Sequence, residues 1–353
     1  MKKNILVTCR MGPGTLEAKL IPLSKVSVIN KIFVLRKSEG IPIPKVEYIT
    51  LPLICKYSLI NIIIAPLLLT FYTIRNKIDF IIAYHFIPHA LFAYISSTFT
   101  KTPYIFCQTG SLCQKYCDNK ILCYFIIKIL GNADYINVPG NQSKYFWIKK
   151  GLSEKKINVL HSTIDTKLFK NNPCVEKKYD FIILSRLDPE KQIHILIRMF
   201  YQLKNQSFNF NVIIVGDGVE RKKLEELTRK YQLNKIISFV GFKENVQHYF
   251  NQSKIYLMYS SSEGLPTSLM QAMSCELIAF STRVGNISDI LEYGKTGFIF
   301  ESNEYDQYLT KLKKVYLDYY TFNELRANAR KEVKKNHSYA IAEKRWSKLL
   351  EKY

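Results

Sequence analysis

KIYLMYSSSEGLPTSLMQAM, from Lys254 to Met273, runs through three kinds of local structure in one short stretch. KIYLMYS (Lys254–Ser260) is apolar and rich in strand formers, so it reads as a buried strand. SSEG is a turn. Pro266 suits the first position of a helix, where its missing N–H would have no partner anyway. Thr267 and Ser268 then fall in the first helical turn, where free backbone N–H groups and the positive end of the helix dipole attract an anion. Glu263 lies just upstream, and a carboxylate beside a phosphate is unfavourable unless it serves another group. Sugar hydroxyls fit, because an ionised carboxylate accepts two hydrogen bonds from neighbouring hydroxyls. The plainer role is a helix cap, which glutamate fills less well than aspartate or serine.

The same strand–turn–helix unit recurs along the chain. Strand-like runs stand at Lys3–Cys9, Lys31–Arg36, Asp79–Tyr84, Pro103–Thr109 and Asp134–Val138. A polar stretch from Asp165 to Tyr179 reads as a linker. The alternation restarts at Asp180–Leu187, Phe210–Gly218, Ile236–Phe242, Lys254–Ser260, Leu277–Thr282 and Gly297–Glu301, and a mostly helical tail follows Glu304. Near-continuous apolar strands separated by helices indicate parallel sheets covered on both faces. The expected class is α/β: two doubly wound, Rossmann-like parallel-sheet domains facing a cleft, with ligands beyond the carboxyl ends of the strands.

The chain has 353 residues and a net charge of +22, which calls for an acidic partner: nucleic acid, anionic lipid or a phosphorylated substrate. It carries no aromatic–basic RNA-binding signature, so charge alone supports a nucleic-acid partner and none is expected. Eight cysteines are scattered, often inside apolar runs. The spacing of Cys113, Cys117 and Cys123 matches no zinc pattern, so these read as core residues with free thiols in a reducing cytoplasm. Met1-Lys-Lys-Asn precedes too short an apolar run for a secretion signal. Leu59–Ile74 is nearly all apolar but shorter than the roughly 20 residues that a spanning helix requires. It also contains Asn61 and Pro66, and reads as a buried or interfacial helix.

Three further loops carry chemistry. SRLDPEKQ (Ser185–Gln192) presents Arg186 and Lys191, a guanidinium fork and an ammonium that together suit a diphosphate; the alternative is two solvated surface charges. GDG (Gly216–Gly218) is a tight turn by default. RMGPGT (Arg10–Thr15) follows the first strand, and Gly12 and Gly14 let backbone approach a diphosphate, or simply make a Gly-Pro turn.

SSSEGLPTSLMQAM together with AFSTRVGNISDILEYGKTGFIFE resembles the donor-site signature of the retaining glycosyltransferases of family four, which have the GT-B fold. SRLDPEKQ is similar to that family's basic diphosphate-binding segment. FVGFKENVQHYFNQSKIYLMYS resembles the stretch between them, and VLHSTIDTKLF its interdomain crossover. The likeness covers Val159 to Glu301 and is weaker before it. It implies an acceptor-binding domain at 1–165, a donor-binding domain at 166–330, and a helical segment at 331–353 that packs back on the first domain.

The resemblance also implies roles. Glu263 contacts the transferred sugar, Arg186 and Lys191 neutralise the donor diphosphate, and His85 lines the cleft. Gly12, Gly14, Gly241, Gly264, Leu265, Pro266 and Thr267 lie along the donor. The second acidic position of the signature, which holds the ribose hydroxyls, is Gln271 here, and its amide still accepts or donates one neutral hydrogen bond. The histidine usual after the strand at Pro103–Thr109 is replaced by Gln108-Thr109-Gly110.

The implied reaction is retaining transfer from a UDP- or GDP-sugar to a hydroxyl of a saccharide or polyprenyl-linked saccharide, without metal or cofactor. The natural setting is bacterial surface polysaccharide synthesis, such as O-antigen, capsule or exopolysaccharide. Lys115, Lys120, Lys128, Lys144, Lys149 and Lys150 recur beside apolar helices, so the first domain is expected at the anionic inner face of the cytoplasmic membrane. Two other classes stay open: a nucleotide-sugar 2-epimerase of the same fold, which would release a free sugar, and a basic nucleic-acid-binding protein.

Overall fold

A computed structural model describes residues 2–52 and 58–351. Cys55 and Lys56 therefore lie outside the described residues. The chain forms two compact units, one of residues 1–163 and 339–353, the other of 164–338.

The first unit holds β1 (Lys3–Thr8), α1 (Pro13–Lys25), β2 (Ile29–Arg36), β3 (Val46–Thr50), α2 (Ser58–Arg75), β4 (Phe80–Tyr84) and α3 (Leu91–Thr100). It continues with β5 (Tyr104–Cys107), α4 (Leu112–Lys115), α5 (Lys120–Gly131), β6 (Tyr135–Val138), α6 (Asn141–Lys149) and β7 (Ile157–Val159). The strands pair in parallel in the order β3-β2-β1-β4-β5-β6-β7. Alternation along β1 sends Leu6 to one face, where it packs with residues of α2, α3 and α5. Ile5 and Val7 go to the other, against α1.

The second unit holds β8 (Tyr179–Leu184), α7 (Ile193–Asn205), β9 (Val212–Val215), α8 (Arg221–Lys230), β10 (Ile237–Phe239) and α9 (Val246–Asn251). After these come β11 (Ser253–Leu257), α10 (Thr267–Ser274), β12 (Ile278–Thr282), β13 (Phe298–Phe300), α11 (Tyr305–Leu317) and α12 (Asn323–Asn336). Its sheet runs β10-β9-β8-β11-β12-β13, all parallel. Phe181 and Ile183 of β8 face one core cluster, and Ile182 faces the other. In both units the strand order reverses beside the first strand, so β1/β4 and β8/β11 are the switch points where such sheets take ligands.

Two boundaries differ from the sequence expectation. Asp165–Tyr179 is no free linker. Phe169 is buried, its carbonyl accepts from Ser274 Oγ at 2.5 Å, and Asn172 N–H donates to Asn251 Oδ1 at 2.7 Å. The return to the first unit comes after Ser338, not at residue 331, because α12 runs on to Asn336 and buries Ala329 and Val333 in the second unit's core. Only α13 (Tyr339–Leu350) belongs to the first unit, where Trp346, Leu349 and Leu350 share a cluster with Leu16, Leu20 and Leu23 of α1.

Candidate active site

The switch point of the second unit brings two loops together. After β8, Pro189–Lys191 forms a single helical turn, and the Glu190 carbonyl accepts from Ser261 N–H at 2.8 Å. That stitch joins it to the loop after β11. Lys191 Nζ then meets Glu263 Oε1 at 2.6 Å, and Ser260 Oγ donates to the same oxygen at 2.8 Å. The two charged side chains are only 14% and 9% exposed, so this is a largely desolvated pair with an extra hydrogen bond.

The Glu263 loop is held from behind by a glycine that sequence reading did not single out. Gly285 follows β12 with φ +57, and a Cβ there would lie 2.1 Å from the Glu263 carbonyl oxygen. Only glycine permits that approach. The next residue, Asn286, donates its N–H to the Gly264 carbonyl at 2.8 Å. The signal was a glycine three residues past a strand's end, within a stretch already matched to the donor signature.

Arg186 does not join Lys191. Its exposed guanidinium binds the carboxylates of Asp188 and Glu190 on its own loop. Pro266 is the residue before α10, in extended conformation, and not the first helical residue; Thr267 opens the helix and is exposed. Ser268 Oγ shares a hydrogen bond with Tyr256 OH at 2.8 Å. Leu265 is buried. Gln271, one turn past Thr267 on the same side of α10, is half-buried, and its amide has no hydrogen-bond partner among the described residues. In the GDG turn, Gly216 has φ +136 and a Cβ would strike the Ser185 carbonyl at 1.8 Å, so this glycine serves packing. Gly216 N–H donates to the Gly241 carbonyl at 2.9 Å, which ties the loops after β9 and β10 together beside β8.

In the first unit Gly12 ends the loop after β1 and Gly14 lies in the first turn of α1, both exposed, where a Cβ would meet no atom within 4 Å. Packing within the protein therefore does not explain either glycine. His85 follows β4 with φ +73 and places Nδ1 3.0 Å from the Tyr84 carbonyl oxygen. Burial lowers its pKa against that carbonyl's pull, and the cations Arg10 and Lys19 lower it further. His89 is buried, with Nδ1 2.7 Å from Thr8 Oγ1; burial, then His85 and Arg10, push its pKa down to about 3. Gln108 is a structural residue: Trp147 Nε1 donates to its Oε1 at 2.8 Å, and its Nε2 donates to the Gly110 carbonyl at 2.6 Å. Lys19, not singled out in the sequence, reaches Ser162 Oγ at 3.4 Å and has no carboxylate partner among the described residues.

Cys113, Cys117 and Cys123 are buried free thiols in the first unit's core. Among the described residues no group of three His, Cys, Asp or Glu side chains is placed to hold a metal ion. Two cavities of about 410 and 510 Å³ in the second unit lie along α7; neither is lined by Lys191, Glu263 or Gln271.

Residues 164–336, nearly the whole second unit and just under half of the chain, match the family described as glycosyl transferases group 1. Among curated proteins, the chain is 28% identical over 166 residues to a putative colanic acid biosynthesis glycosyltransferase of Escherichia coli, covering 44% of this chain and 41% of that protein. It is also 28% identical, over 205 residues, to the gpi3 component of the phosphatidylinositol N-acetylglucosaminyltransferase of Schizosaccharomyces pombe, covering 57% and 44%. The matches thus span less than half the length of these two relatives. Among solved structures, the Anabaena protein HepE in complex with UDP aligns with a TM-score of 0.82 at 18% identity, over 99% of this chain and 100% of that one. Sucrose-phosphate synthase of Thermosynechococcus elongatus aligns with a TM-score of 0.82 at 14% identity, over 99% of each chain. The fold is of the GT-B class.

Proposed function

We propose that this protein is a retaining glycosyltransferase that moves a sugar from a nucleoside diphosphate sugar to a hydroxyl of a saccharide or lipid-linked saccharide. The observation that carries the reading is the Lys191–Glu263 pair at the β8/β11 switch point, inside the segment that matches group 1 glycosyl transferases. An ammonium and a carboxylate held together in one site serve the two halves of such a donor. Lys191 turns to the diphosphate, and Glu263, still oriented by Ser260, accepts from the sugar hydroxyls. The bond from the anomeric carbon to the diphosphate oxygen breaks, the acceptor oxygen bonds to that carbon on the same face, and the acceptor proton passes to a phosphate oxygen.

Charge developing on the diphosphate is met by Lys191, by Arg186 released from Asp188 and Glu190, and by the free N–H groups at the start of α10. These side chains supply the counter-charge without a metal or another cofactor. Gln271 takes a ribose hydroxyl, and the acceptor belongs to the first unit, near His85. The E. coli relative's name supports a setting in surface polysaccharide synthesis, and the inner face of the cytoplasmic membrane is where that reading puts the protein.

UDP is the first nucleotide to test, since HepE was crystallised with it. A thermal-shift panel of UDP, GDP and their sugars decides the donor. Stabilisation by one nucleotide series, lost in Glu263→Ala for the sugar-bearing form but kept for the free nucleotide, is expected. No shift with any of them removes the reading.

A further inference from the structure

We propose that the outer side of helices α2 and α5 is a docking surface for an anionic lipid bilayer. This deepens the membrane-side reading above by naming the surface, and it rests on that reading only for which acceptor the bilayer presents.

The helix α2 is apolar on two opposite sides. Ala65, Leu69 and Thr73 are buried and face the core shared with α3 and α5. Ile63, Leu67, Phe71 and Ile74, spaced four, four and three residues apart, form a stripe on the other side, and each is more than half exposed. A helix apolar all round belongs inside a protein or against lipid, and this one has protein on one side only. The pattern repeats on α5. Cys123, Ile126 and Leu130 are buried in the same cluster, while Ile121, Tyr124 and Phe125 are more than half exposed. Both helices cover the same face of the seven-stranded sheet, so their outer stripes belong to one layer.

Charge selects the occupant. The first unit has 25 basic and 9 acidic residues, a net +16, whereas the second has 26 and 20, a net +6. The excess is therefore concentrated on the unit that bears the stripes. Helices α2, α3, α4 and α5 contain no aspartate or glutamate, and Asp118 lies in the turn before α5. Exposed Lys115, Lys120 and Lys128 flank the α5 stripe. At the end of α2, Arg75 lies over the Phe71 ring at 5.8 Å, with its charge free to reach lipid headgroups. Two copies meeting through this face would bring two strongly positive units together, which repel. An anionic bilayer offers apolar depth and opposite charge at once. No helix among the described residues is long and apolar enough to cross a membrane, so contact is by lying on the surface.

The test is flotation of the full chain with phosphatidylcholine vesicles, with and without phosphatidylglycerol, at rising salt. Recovery is expected with the anionic vesicles only, falling as salt is raised. Leu67→Ser/Phe71→Ser and Ile121→Ser/Phe125→Ser should each weaken vesicle binding by about tenfold, since exposed apolar side chains are the inserted part. Neither pair should change the unfolding midpoint or the thermal shift given by nucleotide, which keeps this result separate from the donor assignment. Equal binding to neutral and anionic vesicles overturns the proposal, as does wild-type binding by both variants. A wild-type dimer that the same substitutions dissociate, with no vesicle binding, assigns the face to a second copy instead.

Discussion

Lys191 on the loop after β8 and Glu263 on the loop after β11 share a contact of 2.6 Å across a gap of 72 residues in sequence. Each charge is held by the other, so in the proposed reading a donor would have to separate them by offering each a better partner. A diphosphate would do so for the ammonium, and sugar hydroxyls for the carboxylate. Removing one member leaves the other desolvated, which costs more than removing both. Lys191→Ala should lower the unfolding midpoint and cut turnover about a hundredfold, near 2.7 kcal/mol of lost transition-state contact. Adding Glu263→Gln should restore part of the stability and none of the turnover. A double-mutant cycle with no coupling in stability would show that the pair is not held in solution.

Arg186 makes a contrasting case. Its side chain is exposed and its partners are Asp188 and Glu190, so the ion pairs contribute only about 0–1 kcal/mol to stability. Arg186→Ala should therefore leave the unfolding midpoint where it is. If Arg186 swings to the diphosphate in the reaction, turnover falls about a hundredfold all the same. Unchanged turnover would confine it to its own loop.

The contrast shows what a sequence can convey about such a site. Strands buried on both faces, such as Phe80–Tyr84 and Phe181–Ile183, read directly as apolar runs. The edge strands Val46–Thr50 and Ile157–Val159 escape, because one is half-exposed throughout and the other has only 3 residues. Glu263 and Lys191 are legible as residue types in motifs, but their contact is a product of strand order and no local spacing encodes it. The capture of Arg186 was visible, since carboxylates stand two and four residues on, at Asp188 and Glu190. The outer stripe of α2 was not, because an apolar run looks the same whether its second side meets protein or solvent.

Gln271, on the side of α10 shared with Thr267, has an amide without a partner among the described residues. If it takes one ribose hydroxyl, Gln271→Ala should weaken donor binding by about 1 kcal/mol, the worth of one neutral hydrogen bond. Gln271→Glu should bind as well or better, because an ionised acceptor makes the stronger bond. Calorimetric titration with nucleotide reads both. Identical affinity in all three proteins would turn this residue away from the nucleotide.

Gly285 tests the support behind Glu263. In Gly285→Ala the new Cβ would be 2.1 Å from the Glu263 carbonyl oxygen, at a backbone angle that L-residues disfavour by about 1–2 kcal/mol. The Glu263 loop has to move. Turnover should fall well beyond what the lost stability explains at a temperature where the variant remains folded. Wild-type turnover in a folded Gly285→Ala protein would mean that the position of Glu263 is not critical.

His89 sets a pH dependence in the first unit. Its ordinary pKa of 6.5 falls to about 3 in the folded protein, chiefly because burial disfavours the imidazolium. The unfolded chain therefore binds a proton first as pH drops. The stability that neutral His89 contributes is whole above about pH 6.5 and is lost as pH falls from there towards 3, at up to about 1.4 kcal/mol per pH unit. His85, also lowered, acts in the same direction. His89→Gln keeps a hydrogen-bonding group for Thr8 and removes the titration. Urea unfolding between about pH 7 and pH 5 should show the wild type losing stability more steeply than this variant. Parallel curves would mean that the native protein admits the proton as readily as the unfolded chain.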